Sequence, residues 1–152
     1  MSAYRRHPDP APRTRGQALV EFALVFPAFL LIVLGIVDVG RGIYVYNGVS
    51  QAAREIARVT SVHPGAPYGS GAETQAVVAT QARLVPGLTA SNITIQCTDM
   101  ADTVRPSSEC FTGTINRYVR VSVSVPFNVI AKSFLPVIPV MTFTSVSHIQ
   151  LP

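Results

Sequence analysis

The stretch Arg15-Gly16-Gln17-Ala18-Leu19-Val20-Glu21-Phe22 sets a glycine immediately before a hydrophobic run and a carboxylate five residues after it. Two kinds of chemistry suit that spacing. The first is peptide cleavage after Gly16, where a peptidase working at a membrane face needs a small side chain and an accessible backbone. The second is charge pairing: a cut between Gly16 and Gln17 would leave an ammonium on Gln17, one helical turn from Glu21 and, in a helical assembly, within reach of a neighbouring subunit's Glu21. A lone carboxylate in hydrocarbon is costly and usually has a partner. Attraction between such charges is far stronger in low dielectric than at a surface, although desolvation offsets much of it. Without cleavage, Glu21 is instead a helix-packing or helix-end residue that reaches the headgroups.

Few other residues invite chemistry. Cys97 and Cys110 lie 13 positions apart and form no C-x-x-C redox or zinc pattern. In an oxidising compartment an even cysteine count favours a disulfide, with two free buried thiols as the alternative. Closing a loop of that length would contribute about 3 kcal/mol. His7, His63 and His148 fall in different elements, so no metal site is expected. There is no Gly-rich phosphate loop, G-x-S-x-G elbow or H-E-x-x-H pair. No catalytic residue and no cofactor are assigned, and the chain reads as a non-enzyme.

The elements that would position the Gly16–Glu21 pair follow from composition. Only 13% of the 152 residues are charged and the mean hydropathy is +0.35, whereas about a quarter charged is usual for a soluble domain. The apolarity is concentrated from Ala18 to Val37, where Glu21 is the single ionisable group. At about 1.5 Å per residue that run is roughly 30 Å long, the thickness of a bilayer core. The net charge of +4 belongs mostly to the arm before it, which carries Arg5, Arg6, Arg13 and Arg15 against Asp9. An arm of that kind stays cytoplasmic under the positive-inside rule, which sends the C-terminal part across the membrane. No basic patch remains for nucleic acid.

Residues 1–16 thus read as a basic leader, Pro- and Arg-rich and without apolar periodicity, with Gly16 as the place where a cut would fall. An ordinary secretory signal places its apolar segment before the small-residue cleavage site; here Gly16 precedes the apolar run, so cleavage would leave the helix on the mature protein. Residues 17–62 form a hydrophobic, then amphipathic stem. Val45, Val49, Ala52, Ile56 and Val59 recur at helical spacing, with Gln51, Arg54, Glu55 and Arg58 on the other side and Glu55 and Arg58 placed to pair. Pro27 should break one hydrogen bond and kink the rod. Asp38, Arg41, Tyr44 and Tyr46 fall where the helix leaves the bilayer and read as interfacial anchors or as subunit contacts. Gly35, Gly40, Gly42 and Gly48 permit close helix approach.

The breakers His63-Pro64-Gly65 and Pro67-Tyr68-Gly69 end the stem near Val62 and open a small extracytoplasmic domain over 63–152. Glu73 to Val85 reads as a short second helix. Ile93, Ile95 and Cys97, then Val119, Val121, Val123 and Val125, alternate as strands. A third strand is expected from Val140 to Ile149, with Met141 and Phe143 facing one way and a change of phase near Ser145 through a bulge. Thr98 to Asn116 shows neither period and reads as a loop clipped by the cysteines. The expected class is α+β: a long transmembrane and amphipathic helix, a short second helix and an antiparallel sheet of about three strands, covered by the Val45–Val59 stripe.

Gly16-Gln17-Ala18 through Glu21-Phe22-Ala23-Leu24, Pro27, Gly35-Ile36-Val37-Asp38 and Ala52-Ala53-Arg54-Glu55-Ile56-Ala57-Arg58 together resemble the TadE-like family of pseudopilins from tight-adherence (Flp-type) pilus systems. The resemblance covers about residues 15–60. It departs from the family at Phe22, where these pseudopilins often have Tyr; the aromatic is kept and the hydroxyl is lost. It implies a minor pilin in assembly of a type IV-like pilus, processed after Gly16 by an inner-membrane prepilin peptidase, with Glu21, Phe22 and Pro27 acting in assembly. The implied partners are the peptidase, other pilin and pseudopilin subunits, the inner-membrane assembly platform and membrane lipid. The implied location is a single pass through the inner membrane, with the N-terminus cytoplasmic, and the pilus itself. The competing expectation is a permanently anchored protein whose outer domain binds a ligand or scaffolds a secretion complex. Whether Gly16–Gln17 is cut separates the two.

Overall fold

A computed structural model describes residues 13–111, 116–133, 137 and 139–151, with side chains from Gly16 onward. One helix, α1 (Arg13–Val62), runs unbroken for 50 residues with Pro27 inside it, a rod about 75 Å long. It begins at Arg13 and so takes in the last four residues of the predicted leader, because helix once nucleated in the apolar run propagates backward at little cost. The rest of that leader, residues 1–12 with His7, lies outside the described residues.

The two halves of α1 have different surroundings. From Gly16 to Val33 every residue is exposed, and the run is long and apolar enough to cross a membrane. From Val45 onward one face is buried: Val49, Ala52, Ala53, Ile56, Ala57 and Thr60 are fully enclosed. Val59, expected on this stripe, is only half-buried, and Thr60 takes the inward position. A 3.6-residue period drifts off a strict four-three spacing over several turns. The Thr60 hydroxyl donates to the Ile56 carbonyl at 2.7 Å and so tolerates burial. The Glu55–Arg58 pair forms on the opposite side, with contacts of 2.6 and 3.1 Å.

The breakers reverse the chain. Pro64 O accepts the N–H groups of Gly69 and Gly71, and Gly65 sits at φ +68°, where an added Cβ would collide with the Gly71 backbone. Helix α2 (Ala72–Leu84) follows, fixed by the buried Thr74 hydroxyl donating to His63 O at 2.6 Å. It packs on α1 near Gly48, whose missing Cβ would lie 3.1 Å from Val85 Cγ2.

Strands β1 (Ile93–Thr98), β2 (Val104–Arg105), β3 (Tyr118–Phe127) and β4 (Met141–Gln150) form one antiparallel sheet in the order β2-β1-β3-β4. The α+β class is as expected, but the sheet has four strands rather than three. The extra strand comes from the predicted loop, where Val104 and Arg105 pair with Thr98 and Cys97; two residues are too few to show a period. That loop also holds a one-turn helix, α3 (Ser107–Phe111).

In β3, Val119, Val121, Val123 and Val125 are buried under α1, in the alternation read from the sequence. The phase change expected in β4 does not occur. Its register with β3 is continuous from Tyr118↔Gln150 to Phe127↔Met141, so Phe143, Ser145, Ser147 and Ile149 share the inner side and Val146 points out. Alternation by hydrophobicity misreads this strand because serines occupy the inner face where the helix crosses; small side chains there allow close helix–sheet approach.

Candidate functional site

Gly16, Gln17, Glu21, Phe22 and Pro27 all lie on the bare half of α1, and none contacts the domain. Helical geometry puts Gln17 and Glu21 one turn apart on one face. Gly16 is open: nothing stands within 4 Å of where a Cβ would be. Phe22 is 63% exposed and stacks on Phe26 with centroids 5.2 Å apart. A carboxylate and two aromatic rings on a surface without tertiary contacts present material for interaction with lipid or with other helices.

A second cluster forms where α1 meets the sheet, and sequence reasoning missed its main residue. Asp38, expected as an interfacial anchor or a subunit contact, is only 6% exposed. Its Oδ1 accepts the Ile130 N–H at 2.9 Å and its Oδ2 the Ala131 N–H at 3.0 Å. These are the first residues of a 3₁₀ turn, Ile130–Ser133, so Asp38 ties the connection after β3 to the stem. Arg41 donates to Asp38 Oδ1 at 3.1 Å and lies over the Phe127 ring, 5.4 Å from its centroid. All these donors suit an ionised carboxylate, which only accepts. Gly42 lets the Phe127 and Phe143 rings close on the helix at ordinary contact distance, and Phe143 meets Tyr46 edge-on at 6.0 Å. A signal was present in the sequence: extending the stripe backward from Val49 through Val45 at helical spacing lands on Gly42 and then on Asp38. Gly35 and Gly40, by contrast, have no neighbour within 4 Å.

At the far end of the sheet, the sequence-predicted cysteine pair is joined. Cys97 on β1 and Cys110 on α3 form a disulfide with Cα atoms 6.2 Å apart, and Cys97 is buried. The segment between is ordered around Asp99. Its Oδ1 accepts the N–H groups of Ala101 and Thr103, both at 2.9 Å, and its Oδ2 takes the Arg105 guanidinium at 2.7 and 3.0 Å. The Thr103 N–H first, and then Arg105, hold the Asp99 carboxyl below its usual range. Beside the bridge, Tyr68 packs edge-on against Phe111 at 5.9 Å, and burial alone pushes its phenol pKa upward.

The two described histidines stand apart. His63 directly follows α1, 4.0 Å from Glu73, and His148 on β4 lies 2.9 Å from Asp102. Among the described residues no three His, Cys, Asp or Glu side chains are grouped to hold a metal.

These features define a protein with a helical stem, bare and apolar over its first half, that carries a disulfide-bridged antiparallel sheet on its second half. Residues 16–58 match a family model described as TadE-like protein, the family that the sequence resembles. The matched segment spans both the Gly16–Glu21 pair and the Asp38 joint. No curated protein and no solved structure matched the chain.

Proposed function

We propose that this chain is a minor pilin, or pseudopilin, that takes part in assembly of a tight-adherence, type IV-like pilus and performs no catalysis itself. The observation that carries this reading is the TadE-like match over residues 16–58, which falls on a helix whose leading half is apolar and without tertiary contacts. In this account the first half of α1 crosses the inner membrane with its basic arm in the cytoplasm, and the sheet domain lies outside. A prepilin peptidase removes residues 1–16. The freed Gln17 ammonium and Glu21 then offset each other's charge when stems pack together, with Phe22 and Pro27 acting in assembly from other sides of the same helix. The partners are other pilin subunits and the inner-membrane assembly platform. An outer domain supports this compartment assignment independently, since a disulfide persists where thiols are not kept reduced.

Intact-mass and N-terminal analysis of the protein extracted from membranes of cells that build such pili tests the reading. A mature chain beginning at Gln17 is expected. A chain that keeps residues 1–16 in pilus-bearing cells contradicts it and favours a permanently anchored scaffold.

A further inference from the structure

The base of the sheet domain, where β3 ends and β4 begins, is more apolar than an exposed surface ordinarily is. Val39 and Ile43 on α1 are 63% and 57% exposed, Val137 is 91% exposed, and Val140 and Met141 are nearly half exposed. Between α1 and the strand ends, Val39, Ile43 and Met141 border a cleft of about 340 Å³, apolar over its exposed surface and also lined by Asp38 and Tyr46, that runs in to Phe127 and Phe143. Contiguous apolar surface of this kind marks an interaction site.

Two observations say what covers it. The first is continuity: the patch begins at Val39, directly after the apolar run that ends at Val37, on the same unbroken helix. With about 20 residues of α1 filling the bilayer core, the Asp38 joint fixes the base of the domain at the depth where the helix emerges. Asp38 holds Ile130 and Ala131 directly, so this base cannot be far from the headgroups while α1 spans. The second is chemistry. Tyr44 and Tyr46 are exposed on the same stretch of α1, with Tyr46 lining the cleft, and Lys132 is the one charged side chain among the described residues of the connection between β3 and β4. Aromatic phenols and a lysine above an apolar surface match the acyl–headgroup boundary of a phospholipid layer.

We infer that the base of the domain is a lipid-docking surface: Val39, Ile43 and Met141, with Val140 beside it, dip into the outer boundary of the bilayer that α1 crosses, and Lys132 faces lipid phosphates. Before assembly the domain stands on the membrane, and extraction of the subunit must also lift this face from lipid. The inference rests on α1 being a membrane span.

The test uses the full chain with its disulfide intact, reconstituted in vesicles of phosphatidylcholine and phosphatidylglycerol. An environment-sensitive fluorophore is placed on a single introduced cysteine in three variants: Val25→Cys in the bare half of α1, Met141→Cys at the base, and Val104→Cys at the far end of the sheet. All three native side chains are exposed. Nitroxide-labelled lipids report contact with the bilayer. The expected result is blue-shifted emission quenched by the nitroxide lipids at positions 25 and 141, with aqueous, unquenched emission at 104. Quenching at 25 with aqueous emission at 141 overturns the inference and leaves the span intact. An unquenched probe at 25 overturns the span, and the inference with it. A blue shift at 141 that nitroxide lipids do not quench, and that disappears on dilution into excess lipid, means that a second copy covers the face. Equal quenching at 104 and 141 means that the domain has no preferred base. Either outcome overturns the inference.

Discussion

Asp38 shows how much one side chain can decide at the boundary between stem and domain. It satisfies two backbone N–H groups that open a 3₁₀ turn and holds Arg41 over Phe127. Replacing Asp38 with Ala removes the shared acceptor and leaves both N–H groups without it. The expected outcome is faster tryptic cleavage after Lys132, with the helix content of α1 unchanged by circular dichroism; an unchanged cleavage rate would show that the joint does not restrain this turn. Asp99 makes a similar arrangement at the other end of the sheet, and its effect should depend on pH. Its folded pKa is depressed by the Thr103 N–H and Arg105. The stability it contributes is therefore present above the ordinary carboxylate range and is lost as pH falls through the lower folded value. Amide protection at Ala101 and Thr103, corrected for intrinsic exchange, should drop on acidification below that range, and Asp99→Asn should abolish this dependence. Protection that is insensitive to acid in the parent would show that the Asp99 charge does not hold the turn.

At the scale of elements, most of what the sequence made legible came from strong periods. The apolar run and the valine alternation of β3 each extend over several turns or residue pairs, so neighbouring positions reinforce one reading, and two consecutive sets of breakers mark the end of α1 at Val62. Elements without such repetition were misread or missed. β2 is two residues long, α3 is one turn, and the inner face of β4 carries serines where the helix presses close. Asp38 was read as an anchor or a subunit contact because a charge at a membrane exit reads most simply that way, although it occupies the next inward position of the stripe and binds the turn after β3. The stripe itself makes a testable claim. Ile56 is fully buried between α1 and the sheet, so Ile56→Asp should destabilise the domain by about 3 kcal/mol or more, because a buried unpaired charge costs heavily. Arg54→Asp, on the exposed side of the same helix turn, should change stability little. Thermal melts of the two variants check this, and equal melting of Ile56→Asp and the parent would place the stripe in an intersubunit contact.

On the scale of the whole molecule, two contact systems share one helix. The second half of α1 is committed to its own sheet, and the first half has no partner among the described residues. The division is why Gly16, Gln17 and Glu21 are legible from sequence as a group although the described domain makes no contact with them: in the proposed function their pattern answers to processing and assembly rather than to packing. The account's central claim is that Gly16 and Glu21 act at successive steps. It is tested most directly by blotting tagged Gly16→Leu and Glu21→Gln variants for precursor and mature lengths and counting surface pili in the same cells. The account predicts that Gly16→Leu stays at precursor length, and that Glu21→Gln is shortened like the parent but supports few or no pili, because the Gln17 ammonium has lost its counter-charge. Glu21→Gln cells that are processed and carry as many pili as the parent would contradict the charge-pairing claim and return Glu21 to a tolerated carboxylate near the membrane face.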